Sequence, residues 1–295
     1  MRTLAKENYM STYIFTEITS DYPIKDEKDF GLLPMSVMLS DDEYDNVNTF
    51  ISNSEFYERM QSGELSNTAM VNSEIAERAF EEKLKEGYDV LYIAFSSALS
   101  GTCDNCSRIL AEVAKRYPER KAAAINSLNA SAGEGLIAWY ALRKRDEGAD
   151  FDELVEYTQS IADKCVALFT VNDLKHLARL GRCSKASALI GTALSIKPIM
   201  HVDEQGRLVP FDKVLSRKKA LRTLVDYMED KMLPACEQKA VFIGHGECLE
   251  DAEFVKREMQ NRLGIDNIVI DYIGPVIGAH VNKGVLAIFF LGNEK

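Results

Sequence analysis

Val90-Leu91-Tyr92-Ile93-Ala94-Phe95-Ser96-Ser97-Ala98-Leu99-Ser100-Gly101-Thr102 is an apolar run that ends in a hydroxyl-dense turn, and its reading decides the fold. The run predicts a strand, and the pattern from about Gly101 to Arg116 predicts the helix that follows it. A strand feeding such a turn gathers hydroxyls and unpaired backbone N–H groups at one spot. The start of a helix adds a partial positive charge, so the spot suits a carboxylate or a phosphate. A simpler reading is that Ser96, Ser97 and Ser100 only cap the helix, because Ser and Thr are favoured caps for local reasons.

Outward from this turn, strand and helix patterns alternate. Tyr13-Ile14-Phe15-Thr16 reads as a strand, and Leu32 to Leu39 as another around Pro34. Ser73 to Lys85 reads as a helix capped by Ser73, with Ile75, Ala79, Phe80 and Leu84 on one face. Ala122 to Ile125 predicts a strand, Leu136 to Arg143 and Glu153 to Lys164 predict helices, and Cys165 to Val171 predicts a further strand. Beyond these come a helix at Asp173 to Leu180, a strand at Ile196 to Val202, a turn at Gln205-Gly206 and a helix at Arg217 to Met228. Ala240 to Gly244, Ile268 to Ile273 and Val285 to Leu291 read as strands. The alternation implies an α/β fold of two domains, 1–165 and 166–295, each with a central, mostly parallel sheet flanked by helices. Ligands in such folds sit at the carboxyl ends of strands, here at the domain interface, and the hydroxyl turn occupies one such end.

Composition narrows the function. Hydrophobic residues at 46% and charged residues at 27% of the 295 are those of a globular chain and exclude a disordered one. A formal net charge of −11 repels DNA and anionic membranes at long range, so nucleic acid is not an expected partner. No apolar run is long enough to cross a bilayer, which excludes stable membrane insertion, and Met1 to Glu7 lacks the apolar core of a secretion signal. The expected location is the cytoplasm, with Cys103, Cys106, Cys165, Cys183, Cys236 and Cys248 as reduced thiols.

Several chemistries lose support on spacing. Cys103-Asp104-Asn105-Cys106 has redox-motif spacing but stands without a second pair or the surroundings of a redox motif. His176, His201, His245 and His280 show no metal-ligand spacing, so no metal and no cofactor is expected. The G-x-S-x-G elbow, the dinucleotide fingerprint and the P-loop are all missing. Gly244-His245-Gly246-Glu247 suits a tight turn between strand and helix better than a phosphate site. Ile273-Gly274-Pro275-Val276-Ile277-Gly278-Ala279-His280 is more informative, because two glycines and a proline shape the backbone just before a histidine. Arg179 and Arg182 flank Gly181 and offer a cationic complement to an anion.

Taken together, these segments resemble the DegV family of bacterial fatty-acid-binding proteins along nearly the whole chain. Thr16-Glu17-Ile18-Thr19-Ser20-Asp21-Tyr22-Pro23 resembles the family's T-D-S-x-x-D-L-P, with Glu17 in place of its first Asp. Asn67-Thr68-Ala69-Met70 stands where the family has K-T-S-Q, and Ser96 to Thr102 matches S-S-x-L-S-G-T. Asn126 to Gly133 resembles D-S-x-x-x-S-x-G, Leu177 to Arg182 resembles L-x-R-G-G-R, Leu194 to Ile199 resembles L-x-I-K-P-I, and Ile273 to His280 resembles I-G-P-V-I-G-x-H.

The resemblance implies a two-domain protein that encloses one long-chain fatty acid. By position, Thr68 and Ser100 would bond the carboxylate, with His280 and one of Arg179 or Arg182 near it. Ser96, Ser97, Gly101, Thr102 and Gly278 would form its secondary surroundings. It also implies a carrier that is not an enzyme and presents the acid to a separate fatty acid kinase for conversion to an acyl-phosphate. Ala69 and Met70 remove two polar groups that the family pattern places near the head group, and Val281-Asn282-Lys283-Gly284 replaces V-G-P-G. Two other readings use the same residues. One is a serine-dependent acyl hydrolase with Ser96, Ser97 or Ser100 as nucleophile and His280 as base; the other is a small-anion or nucleotide sensor.

Overall fold

A computed structural model describes residues 11–23, 26–172, 174–183 and 195–293. The Met1 to Glu7 segment, Asp173 and Leu194 lie outside the described residues. The first half of the chain runs β1 (Thr12–Glu17), a single 3-10 turn (Ile18–Ser20), β2 (Phe30–Leu33), β3 (Val37–Leu39), β4 (Asp42–Tyr44), α1 (Asn53–Gln61), β5 (Ser66–Thr68) and α2 (Ser73–Lys85). It continues through β6 (Asp89–Ala94), α3 (Thr102–Ala114), β7 (Ala122–Asn126), α4 (Ala132–Asp146) and α5 (Phe151–Lys164). The second half holds β8 (Cys165–Thr170), α6 (Lys175–Arg179), β9 (Ile196–Val202), β10 (Leu208–Leu215), α7 (Arg217–Lys231) and β11 (Val241–His245). It closes with α8 (Leu249–Leu263), β12 (Ile268–Tyr272), α9 (Pro275–Val281) and β13 (Leu286–Leu291).

The apolar run becomes β6, whose six residues are all buried. It lies inside a parallel sheet of order β2-β1-β6-β7, with Val90 opposite both Tyr13 and Ala122. Helices cover both faces of this sheet, as a continuous apolar strand requires. The expected strand from Leu32 to Leu39 is instead two strands in different sheets. Pro34 has no N–H to donate, so β2 ends at Leu33 and β3 pairs with β4 and β5 in a small antiparallel sheet. The helix from Ser73 to Lys85 forms as expected, but Asn72 caps it, accepting from the N–H groups of Glu74 and Ile75.

The second large sheet, of order β10-β9-β8-β13-β11-β12, departs from the expected parallel arrangement. Only β11 and β12 run parallel; the other neighbours are antiparallel. The reason is local. Asp203 accepts from the N–H groups of Gln205 and Arg207, closing a turn that sends β10 directly back along β9 without a crossover helix.

Helix α4 lies between the two large sheets and is buried along most of its length. Leu136, Ile137 and Leu142 share one core with Ile14 and Leu91 of the first sheet and Phe169, Phe242 and Phe289 of the second. An almost fully enclosed helix needs apolar residues all round, and this one has them. Gly135 lets it approach closely: a Cβ there would lie 2.5 Å from the carbonyl oxygen of Ser20. Helix α9 packs on α1, β5 and the 3-10 turn after β1, which brings the glycine-shaped segment to the carboxyl end of the first sheet.

Candidate functional site

The turn after β6 is fixed by its own hydroxyls. Ser96 Oγ donates to the carbonyl of Gly206 at 2.8 Å and accepts from the N–H of Ala98. Ser97 Oγ accepts from Asn126 Nδ2 at 2.7 Å. These two serines therefore tie β6 to the β9–β10 turn and to the end of β7, correcting the expectation that they cap α3. Ser100 is the hydroxyl at the helix start: its Oγ accepts from the Thr102 N–H at 3.2 Å and lies 2.9 Å from Thr102 Oγ1. Thr102 is fully buried, and Gly101 leaves room for the Met70 side chain, whose sulfur would lie 3.1 Å from a Cβ there.

His280 arrives from α9. Gly278 allows the approach, since a Cβ at that position would meet Tyr57 Oη at 2.8 Å and Phe56 Cε1 at 2.9 Å on α1. Pro275 at the first helical positions shows why the segment is a short helix rather than a loop. His280 Nε2 lies 3.1 Å from Thr68 Oγ1 at the end of β5. Burial and then the nearby Arg182 and Arg179 guanidiniums push the imidazole pKa down to about 4, so it is neutral at pH 7. Its Nδ1 is buried without a hydrogen-bond partner among the described residues. If Nε2 carries the proton and donates to Thr68, the threonine hydroxyl hydrogen remains available for a ligand oxygen.

These residues enclose a pocket with about 550 Å³ of atom-free space, counting its opening to solvent. Thr68, Ser100, Arg182 and His280 line it together. The apolar wall includes Met35, Phe95, Leu99, Leu208, Val276 and Ile277; Thr19 and Ala130 also line the pocket, as do Ala69 and Met70, where the family pattern has polar residues. Arg182 reaches in from the turn after α6, its Nε donating to the Leu99 carbonyl at 3.2 Å. Arg179 instead donates from Nη2 to the Ser66 carbonyl at 3.0 Å and faces an outer groove beside exposed Leu65. Of the two arginines, Arg182 is the pocket residue.

Sequence reasoning singled out the polar end but missed Thr19, Met35, Ala130 and Leu208. Thr19 lies inside the quoted Thr16 to Pro23 segment, so a signal existed. Leu208, at the start of β10, and Met35, between β2 and β3, carry none. Cys103 and Cys106 are buried, which pushes their thiols up to about 11 and about 12, against any thiolate chemistry at pH 7. Gly244 and His245 are still in β11, the Gly246 N–H continues that strand's pairing on the Val285 carbonyl, and the bend at Gly246-Glu247 is held by the Cys248 N–H donating to His245 Nδ1, so the expected turn starts two residues later than the sequence suggests. Among the described residues, no group of three His, Cys, Asp or Glu side chains is placed to hold a metal ion, and no helix is long and apolar enough to cross a membrane.

An apolar pocket ended by hydroxyls, a neutral imidazole and a guanidinium has the geometry for a ligand with an anionic head and an apolar body. Residues 11–293 match the DegV family, described as uncharacterised proteins, and the chain belongs to that family. A DegV domain-containing protein of Clostridium perfringens is 37% identical over 285 residues, covering 96% of this chain and 98% of the relative. Among solved structures, the fatty acid binding DegV family protein of Streptococcus agalactiae is 26% identical with a TM-score of 0.82, covering 97% of this chain and 100% of that one. DegV of Bacillus subtilis, described as a fatty acid binding protein, is 26% identical with a TM-score of 0.80 over 96% of this chain and 100% of its own.

Proposed function

We propose that this protein binds one long-chain fatty acid, with the carboxylate held by the Thr68 and Ser100 hydroxyls beside the Arg182 guanidinium, His280 orienting the Thr68 hydroxyl, and the acyl chain against the apolar wall. The observation that carries this reading is that Thr68, Ser100, Arg182 and His280 line one pocket whose remaining lining is mostly apolar. Arg179, bonded to Ser66 outside the pocket, contributes charge at a distance. The fatty acid binding described for the S. agalactiae and B. subtilis relatives supports the same assignment. In this reading the chain is a cytoplasmic carrier with a boundary near residue 165 between two domains. It is not an enzyme, and it presents the acid to a separate fatty acid kinase that makes the acyl-phosphate. The hydrolase alternative needs a serine paired with His280, whereas the imidazole bonds Thr68.

Energetics divide the work between tail and head. Each methylene removed from water is worth about 0.8 kcal/mol, so a tail of roughly sixteen carbons supplies on the order of 10 kcal/mol before ordering costs. Hydrogen bonds to the carboxylate add about 1.5–3 kcal/mol each and fix where the head group lies. Palmitate is therefore expected to bind about tenfold or more tightly than hexadecanol in calorimetric titration. Equal affinity for acid and alcohol would contradict the carboxylate assignment. Ser100→Ala should weaken palmitate binding by about ten- to hundredfold, the worth of one such bond, while lowering phosphorylation by a partner kinase further still, because placement is lost along with the bond. Matching losses in the two assays would count against this division.

A further inference from the structure

Beneath the pocket lies an acid pair that the carboxylate assignment does not use. Glu17, at the end of β1, and Glu134, on α4, are both fully buried. Thr19 Oγ1 lies 3.0 Å from Glu17 Oε2 and 3.1 Å from Glu134 Oε2, and Thr19 itself lines the pocket. The other partners are all donors: the Tyr92 hydroxyl and Phe95 N–H to Glu17, and the Thr16 hydroxyl and Glu17 N–H to Glu134.

A count of hydrogens decides the state of this pair. A threonine hydroxyl has one hydrogen and can donate to one carboxylate only. With both acids ionised, the second contact to Thr19 would set a lone pair against a carboxylate oxygen. The arrangement closes when one acid keeps its proton and donates it to Thr19, which donates to the other. No lysine, arginine or histidine pairs with either acid among the described residues, and burial raises the pKa of both.

We propose that Glu17, Thr19 and Glu134 form a proton-holding floor under the pocket, and that the pair must keep its proton for an anionic head group to be accepted, so that ligand binding draws protons from solution. The proposal rests on the fatty-acid reading above. Two negative charges behind Thr19 would repel a carboxylate in the same pocket; one shared proton or two reduces that repulsion. The bound anion in turn raises the proton affinity of the pair. Affinity therefore falls as pH rises through the pair's titration, with a limit of tenfold per pH unit for each proton taken up. Other titratable groups face this region: Tyr92 on β6, Cys103 and Cys106 on α3, Asp21 after the 3-10 turn, and His280 with Arg182 and Arg179 across the pocket. Tyr92 and the two thiols stay neutral near pH 7, since burial raises them all. His280 and Asp21 are the competing proton acceptors.

The test is palmitate titration by calorimetry in two buffers of different ionisation heat, which counts protons taken up. Wild type should take up a fraction of a proton and bind at least about threefold more weakly at about pH 8.5 than at about pH 7. Both effects should vanish in Glu17→Gln/Glu134→Gln, whose amides cannot titrate. Zero uptake by wild type overturns the proposal, as does uptake that survives in the double variant, which would assign the proton to His280, Asp21 or the ligand. Infrared spectra of the ligand-free wild type provide an independent reading. They should show a buried carboxylic-acid band that is lost on raising the pH and weakened in Glu134→Gln; absence of the band also overturns the proposal. A wild type that shows the band but binds no palmitate would instead refute the fatty-acid reading and leave the acid pair established.

Discussion

Ala130→Phe should cost the protein most of its affinity for long-chain acids. Ala130 lines the pocket after β7 and is not one of the polar residues assigned to the carboxylate. In the proposed pose a phenyl ring there takes space that a long acyl chain needs. Excluding about four methylenes costs about 3 kcal/mol, or roughly 200-fold in affinity for palmitate. An eight-carbon acid, whose tail ends short of the ring, should lose far less, and the ratio between the two acids is the readout. Equal losses for both would mean that the ring damages the head-group end or the fold. Unchanged palmitate affinity would place the acyl chain elsewhere.

Gly135→Ala should destabilise the protein by about 2 kcal/mol, lowering the urea midpoint with little change in slope. Helix propensity alone predicts the opposite sign, since alanine is favoured over glycine by about 1 kcal/mol inside a helix. The clash outweighs it because the added methyl meets a backbone oxygen, that of Ser20, at 2.5 Å. Ser20 cannot retreat easily. The next residue, Asp21, accepts from Ser131 Oγ at 2.5 Å and from the Gly274 N–H at 2.9 Å, so the turn is anchored to both α4 and α9. Displacing it also moves Thr19 at the pocket, so palmitate binding should weaken in the same variant. A stability gain would show that α4 can shift without penalty.

Much of the fold was legible where local chemistry and tertiary packing agree. The β6 run, the hydroxyl turn and α3 follow from continuous apolar residues that end in helix-start chemistry. The antiparallel second sheet was not legible, because strand patterns report which faces are buried and not which way neighbours run. Its deciding feature is the Asp203 turn, four residues in which Gln205-Gly206 was visible while the returning strand β10, half exposed, was not. Helix α8 was also missed; its buried Ala252, Val255 and Met259 form a helical stripe among many charged residues.

The polar end of the pocket was visible in sequence because each residue sits in a segment with its own signature. The assignment of Arg182 rather than Arg179 needed coordinates, since both flank Gly181 and only side-chain direction separates them. Ser96 and Ser97 looked like caps because their true partners, Gly206 and Asn126, lie 110 and 29 residues away. The apolar wall has the same origin: Met35, Leu208 and Ile277 meet only after the two sheets pack around α4.

The central claim is that the pocket holds a fatty acid. It is tested most directly by native mass spectrometry of the protein purified from bacteria, before and after incubation with palmitate or oleate. The account predicts a complex heavier than the chain by the mass of one long-chain fatty acid. A protein that emerges ligand-free and takes up neither acid would contradict it.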